Sequence, residues 1–439
     1  MNNNIYKVSN IYAKICENTP TEPLLVTVPG SKSLTNRALL LATLADGTST
    51  LRGVLFSDDS RHFLKCVQDL GFETEVDEAA KLVKVSGLGG AVPKKEASQY
   101  VGSAGTAARF LAAYLGISNG TYHMDASEQM RKRPMAPLLA SLQELGCEIE
   151  FEGVEGYFPF TLKSHGFGTN HISVDIEHSS QFLSALLIAS CLSPKDMHIQ
   201  VEGSHGMAYI EITRKMMEQF GVKANISENE KVYIIPSGQH YNALDYQIEP
   251  DASGAAYFYA LGMILGVPVK VQHITFDSMQ GDVQFLKILE QMGAVLKEEA
   301  DGVVLLPPAE GKYHGVDADM SACSDQAITL AALAPFADTP TTIRGIGHIR
   351  YQECNRMNAI ITELGKMGIR CEETDTTITI YPGTPKLTLV DTYDDHRMAM
   401  GFSLIGLRAD GIEIDNPGCC RKTFENYFEC LEECIRTLM

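Results

Sequence analysis

One unit recurs along this chain, and the recurrence constrains the fold more tightly than any compositional figure. An amphipathic helical stretch, then glycine, then a short alternating strand reads FLKCVQDLGFETEV, LLASLQELGCEIEF, RKMMEQFGVKANI, FLKILEQMGAVLKE and AIITELGKMGIRCE. The glycines are Gly71, Gly146, Gly221, Gly293 and Gly368, at intervals of 75, 75, 72 and 75 residues. Glycine suits this place because helices commonly stop on a left-handed residue, a conformation glycine adopts without steric cost. Four near-equal intervals make chance a poor account. A sixth, degenerate copy is expected to end in NYFECLEECIRTLM.

A second element keeps the same phase. It is a nearly all-apolar helix introduced by small or polar residues: SKSLTNRALLLATLA, SAGTAARFLAAYLG, SSQFLSALLIASCL, DASGAAYFYALGMIL, SDQAITLAALAPFA and YDDHRMAMGFSLIGL. A helix apolar on every face must be buried, and the polar starts suit N-caps. Short strands such as TSTLRGV, TYHMDA, MHIQVEG, TTIRGIG and IEIDNPG complete each unit. The expectation is an α/β (α+β) chain of six units in two pseudo-symmetric domains of three, crossing near YQIEPDASG, where Pro250 disfavours continued helix at Glu249. If the buried helices run parallel, their amino ends face one interdomain cleft. Unpaired N–H groups and the helix dipole there favour phosphate and carboxylate ligands.

Charge sharpens that expectation. The 439 residues carry 36 Lys and Arg against 55 Asp and Glu, a net −19. Such a field repels nucleic acid and anionic membrane surfaces, and it repels small anions unless cations gather locally. No apolar run is long enough for a membrane span, and the opening residues lack the features of a secretory signal. The eleven cysteines are scattered without a CxxC pair, which disfavours zinc and a disulfide framework and fits reduced thiols. A cytoplasmic protein is expected.

The strongest local signal is PGSKSLTNRALLLATLA, residues 29–45. Lys32, Ser33 and Arg37 stand at the start of a buried helix, with Arg37 four residues beyond Ser33 and on its face. Charges on an apolar helix are costly unless paired or bound to an anion. The loop lacks a GxxxxGK[ST] pattern, so ATP binding is disfavoured.

At this motif the chain resembles the 5-enolpyruvylshikimate-3-phosphate synthase family of enolpyruvyl transferases. The likeness continues in order through VGSAGTAARFLAA, RKRPM, SSQFLSALLIAS, EPDASGAAYF, GDVQFLKILEQMGA, SDQAITLAALA, TYDDHRMAMGFSL and KTFENYF. It implies two domains of three βαβαββ units each, 31–249 and 1–30 with 250–439, the N-terminal segment returning to the second and the active site lying in the cleft. It implies transfer of the enolpyruvyl group of phosphoenolpyruvate to the 5-hydroxyl of shikimate 3-phosphate, releasing phosphate, with no metal or organic cofactor. A monomer is expected.

The resemblance also implies roles. Lys32 touches both substrates, and Ser33, Arg37, Ser179, Ser180, Gln181, Tyr209 and Asp325 hold shikimate 3-phosphate. Gly105, Thr106, Arg133, Arg356, Arg397 and Lys422 hold phosphoenolpyruvate, where arginine forks suit carboxylate and phosphate. Arg109 ranks lower, as a structural partner. Asp325 takes the hydroxyl proton, Glu353 protonates the methylene carbon, and Lys422 with Lys32 assists protonation or departure of phosphate. Taken singly, Asp325 reads equally as a helix cap and Glu353 as a partner of Arg350 or Arg356. His396 follows two aspartates, but no spacing supports a Cys-His or Ser-His nucleophile.

The segment IGHIRYQECNRM departs from the family pattern, which usually has lysine at Gln352 and asparagine at His348. Gly206 stands where serine is frequent and Ser103 where asparagine is. Arg350 is expected to compensate electrostatically for Gln352. Two rivals remain: the sister transferase acting on UDP-N-acetylglucosamine, whose cysteine before an Arg-Pro pair is missing from SEQMRKRP, and a catalytically impaired ligand-binding homologue. Gln352→Lys is expected to alter the steady-state constants for both substrates, and unchanged constants place the position outside the reaction path.

Overall fold

The computed structural model describes residues 4–204, 206–227, 231–308 and 311–439. Backbone contacts divide the chain into two compact units, Gly30–Ile248 and Met1–Pro29 with Glu249–Met439. The division falls one residue before each boundary expected from the sequence. Gly30 belongs with its followers because its backbone lies against Gly53, leaving no room for a Cβ. The Ile248 amide donates to the Arg52 carbonyl, whereas Glu249 accepts hydrogen bonds from Ser278 and Gln280.

Among the described residues the strands form six sheets, five of four strands and one of three. The sheet of Glu96–Tyr100, Asn119–Asp125, Phe160–His165 and Glu148–Phe151 gives the pattern. Its first pair is parallel, with Ala97 opposite Tyr122. The next two pairs are antiparallel, with Leu162 opposite Tyr122 on one side and Ile149 on the other. A parallel pair needs a crossover, and the Gly105–Gly116 helix supplies it; the glycine-ended Ala136–Glu144 helix leads to the edge strand. The other four-stranded sheets repeat this order.

Three sheets are completed by segments distant in sequence. Asp245–Gln247 lies parallel to Asp46–Arg52 and completes the first sheet of Gly30–Ile248. Leu24–Val26 lies parallel to Val269–Gln272, with Val26 opposite Val271. The degenerate sixth copy has the helix Tyr427–Leu438 with no strand after it. Ile5–Lys7 takes the vacant place, antiparallel to Ile412–Asp415.

The five repeat glycines have φ between +80° and +110°, the left-handed half of backbone space, as the helix-stop reading requires. The six apolar helices are Lys32–Leu44, Gly105–Gly116, Gln181–Ser190, Ala252–Leu265, Ala327–Leu333 and His396–Gly406. In the second, fourth, fifth and sixth of them every residue is buried. The fifth is shorter than its sequence suggests, because Pro335 lacks an amide and tightens the last turn into 3-10 geometry.

The capping expectation needs correction. Asp251 caps the fourth helix through the Gly254 amide, and Asp395 accepts from the Arg397 amide at the sixth. Ser31, Ala104 and Ser180 make no side-chain cap, and at the third helix it is Ser179 Oγ that meets the first amide, that of Gln181. Their polar residues serve other contacts.

Gly146→Ala isolates the backbone requirement. The added methyl meets nothing nearer than the Gly168 Cα at 3.7 Å, while φ is +98°. A loss of about 1–2 kcal/mol is expected from conformation alone, measured as a lower urea midpoint; an unchanged midpoint contradicts the helix-stop reading.

Candidate active site

In Gly30–Ile248 the candidate residues gather at the starts of helices. Lys32 opens the first apolar helix, its ammonium 3.6 Å from the Asp59 carboxylate at the start of the Asp58–Asp69 helix. Arg37 is buried one turn further on. Its guanidinium donates to Thr213 Oγ1 at 2.8 Å and to the carbonyls of Ser33 and Tyr209 at 3.0 and 3.1 Å. The Phe110 ring lies 5.4 Å from it. Burial lowers the Arg37 pKa to about 10, which leaves it charged at neutral pH. Among the described residues no carboxylate pairs with it. Arg37 therefore presents an uncompensated positive charge that neutral acceptors hold in place.

Ser179, Ser180 and Gln181 form the turn into Gln181–Ser190, where the Gln181 amide donates to Ser179 Oγ at 3.3 Å. The Gln181 side-chain carbonyl is buried without a hydrogen-bond partner among the described residues. Tyr209 is half-buried in the Met207–Gln219 helix. That helix begins at Gly206, whose φ is +68° and whose missing Cβ would sit 2.6 Å from Ser180 Oγ. Serine at position 206 would clash in this backbone, so the departure from the family pattern has a local cause.

Gly105 and Thr106 open the second apolar helix. A Cβ on Gly105 would lie 2.7 Å from Arg133 Nη1 and 2.8 Å from Arg109 Nη1. Glycine is thus what lets two arginines close over the helix start. Arg109 donates to the Gly105 and Pro134 carbonyls, packs 5.6 Å from the Phe182 ring and is buried. It ties elements together, in keeping with its lower rank. Ser103 meets Ser127 Oγ at 2.6 Å.

In the unit that contains Glu249–Met439, all five candidates meet in one network. Arg356 is its centre, 2% exposed. It donates to Asp325 at 3.0 Å, to Glu353 at 2.6 Å and to Asp395 at 2.8 Å. Arg397 donates to the second oxygen of Asp325 at 2.7 Å. The Lys422 ammonium is 3.3 Å from Glu353. Three carboxylates thus face three cations in a desolvated cluster. Burial opposes the charge on Arg356, but Asp395, Glu353 and Asp325 outweigh it and raise its pKa. Burial likewise opposes the charge on Arg397, but Asp325, Tyr257 and Asp282 together outweigh it and raise its pKa.

The cap reading gives way for Asp325, whereas the ion-pair reading of Glu353 holds through Arg356. Asp325 binds arginines through both oxygens rather than capping, and Glu353 pairs with Arg356 and Lys422 rather than Arg350. The compensation expected of Arg350 is not seen. Its guanidinium donates to Glu373 at 2.9 Å and to the Thr374 carbonyl, so its charge is neutralised beside a neighbouring turn. His348 is within 2.9 Å of Ser324 Oγ, immediately before Asp325.

Sequence reasoning missed Asp395 as a member of the network, having treated it as a neighbour of His396. Its signal was visible: a charged residue leading an all-apolar helix needs a partner. Ser253 and Tyr257, which accept from Arg397 at 3.4 Å each, gave no such signal.

A model of the family EPSP synthase (3-phosphoshikimate 1-carboxyvinyltransferase) matches residues 24–431. The chain is 43% identical over 404 residues to the 3-phosphoshikimate 1-carboxyvinyltransferase of Trichormus variabilis, covering 92% of this chain and 94% of that protein. The protein of the same name from Vibrio atlanticus is 40% identical over 412 residues, covering 93% and 96%. Among solved structures, EPSP synthase from Acinetobacter baumannii superposes with a TM-score of 0.79 at 23% identity, covering 98% of each chain. The enolpyruvyl transferase NikO from Streptomyces tendae gives 0.71 at 17% identity, covering 98% and 97%. These two likenesses concern the fold alone.

Arg356→Met tests the network as a physical unit. It leaves Asp395 and Glu353 desolvated without their guanidinium, and a loss of about 3–5 kcal/mol is expected, measured by chemical unfolding. A loss within experimental error removes Arg356 from its central place.

Proposed function

We propose a reaction from the premise that this chain belongs to the EPSP synthase family: it transfers the enolpyruvyl group of phosphoenolpyruvate to the 5-hydroxyl of shikimate 3-phosphate and releases phosphate. The observation that carries the reading is the network in which hydrogen bonds join Asp325, Glu353, Arg356 and Arg397 and an ion pair adds Lys422. It gathers acid, base and anion-binding groups on one acidic protein, where repulsion otherwise disfavours two phosphorylated acids.

In this reading Asp325 accepts the proton of the 5-hydroxyl as its oxygen attacks C2 of phosphoenolpyruvate. Glu353, in reach of Lys422, delivers a proton to the methylene carbon, giving a tetrahedral adduct. Loss of a proton from the new methyl group and departure of phosphate restore the double bond. Arg356, Arg397 and Lys422 stabilise the carboxylate and the phosphate as charge shifts, an effect strongest in a site that excludes water. Arg133, Gly105, Thr106 and Lys32 complete the phosphoenolpyruvate ligands. Ser33, Arg37, Ser179, Ser180, Gln181 and Tyr209 hold shikimate 3-phosphate, and the bare charge of Arg37 supports an anion there.

The proposed ligands are drawn from both units. Every proposed ligand belongs to one chain, and the enzyme works as a monomer. The eleven free cysteines support a reducing compartment, the cytoplasm. Among the described residues no helix is long and apolar enough to cross a membrane.

The purified protein is expected to release phosphate only when both substrates are present. Release with phosphoenolpyruvate alone, or none with both, overturns the reading. Asp325→Asn is expected to lower kcat roughly a hundred- to ten-thousand-fold, the usual range for a lost general base.

A further inference from the structure

The segment SMQGD, residues 278–282, has no part in the reaction described above, yet it grips residues that adjoin Arg397 and Asp325. Ser278 Oγ and Gln280 Nε2 donate to the Glu249 carboxylate at 2.6 and 3.1 Å. Gln280 Oε1 accepts from the Ala252 amide at 3.1 Å. Two residues on, Asp282 is buried at the first turn of Gly281–Gln284. Its Oδ2 accepts from Ser253 Oγ at 2.7 Å, and its Oδ1 accepts from Gln326 Nε2 at 3.5 Å. Gln326 is fixed in turn by Thr329, whose hydroxyl donates to its carbonyl at 2.9 Å. Ser253 accepts from Arg397, and Gln326 directly follows Asp325.

We infer that Asp282 is a positioning residue for the reaction: through Ser253 it sets the guanidinium of Arg397, and through Gln326 it sets the turn that presents Asp325. The inference rests on the proposed function and deepens it. A hydroxyl has one proton to donate. While Asp282 is ionised, the Ser253 proton points at Asp282 and the Ser253 lone pairs face Arg397. Once Asp282 is protonated, the acid donates to Ser253, and the serine proton turns toward a guanidinium that also donates. The relay then sets donor against donor, and Arg397 loses an acceptor.

The groups facing Asp282 are the carboxylates of Asp325 and Asp251, the Arg397 guanidinium and the Cys323 thiol. Burial first, and the Asp325 charge second, push the Asp282 pKa up to about 7, with Arg397 pulling the other way. A carboxyl titrating there loses its ionised form as pH falls through neutrality.

The test compares wild type, Asp282→Asn, Ser253→Ala and Ser253→Thr by phosphate release from phosphoenolpyruvate at saturating shikimate 3-phosphate, from acid to mildly alkaline pH. Wild-type kcat/KM for phosphoenolpyruvate is expected to fall on acidification through about pH 7. Asp282→Asn is expected to lose that limb, to raise KM roughly tenfold and to lower kcat, as a severed hydrogen bond to a charged group implies. Ser253→Ala removes the hydroxyl between Asp282 and Arg397 but leaves the Gln326 contact of Asp282 in place, so KM is expected to rise by a larger factor than kcat falls, and Ser253→Thr restores it. A wild-type acid limb kept intact in Asp282→Asn, with unchanged KM, overturns the inference alone. If the Asn variant does not fold, Ser253→Ala decides, and wild-type KM there overturns it. Absent wild-type turnover overturns the function and this inference with it.

Discussion

A guanidinium buried among three carboxylates sets the terms for the Glu249–Met439 part of the molecule. Removing one carboxylate or one guanidinium from water costs several kcal/mol, and mutual attraction offsets this only with good geometry and full hydrogen bonding. Arg356 meets that condition by spending its donors on Asp325, Glu353 and Asp395 together. Asp395 in turn caps the helix that carries Arg397, so backbone and charge are ordered by the same side chain. The apolar helices around them form a continuous core from Val8 to Ile435. That core excludes the water that would screen the charges. Packing and electrostatics therefore depend on each other here.

The Gly30–Ile248 unit solves the same problem differently. One of its buried cations, Arg37, meets no carboxylate among the described residues and is held by a hydroxyl and two carbonyls. Neutral acceptors orient the group without cancelling its charge. One unit thus holds a balanced cluster and the other a surplus positive charge, although both use one βαβαββ pattern.

Much of this was legible in the sequence because it is local. A glycine at fixed phase reports a helix that must stop, and the φ values of Gly71 and Gly368 agree. An all-apolar helix reports burial by itself. Lys32 and Arg37 were legible because a charge at the head of such a helix demands explanation, whereas Asp325 and Arg397 were reached through the family resemblance. What stayed hidden depends on direction and distance. Arg350 stands two residues from Gln352, but its side chain turns to Glu373, and no spacing reveals that. Ser253 and Asp282 are short polar residues whose importance lies in whom they touch. The missing caps at Ser31 and Ser180 were hidden for a similar reason, since a serine before a helix does not disclose where its hydroxyl points.

The strand order carries a consequence for how the polypeptide is made. Leu24–Val26 pairs with Val269–Gln272, and Ile5–Lys7 pairs with Ile412–Asp415. On a ribosome that emits the amino end first, these early strands emerge without partners. At the usual pace of translation the wait for Val269 is roughly 10–50 s. Gly30–Ile248 can close its first sheet as soon as Asp245–Gln247 appears. The leading strands meanwhile keep open edges, and the second half of the molecule assembles only at the end of synthesis.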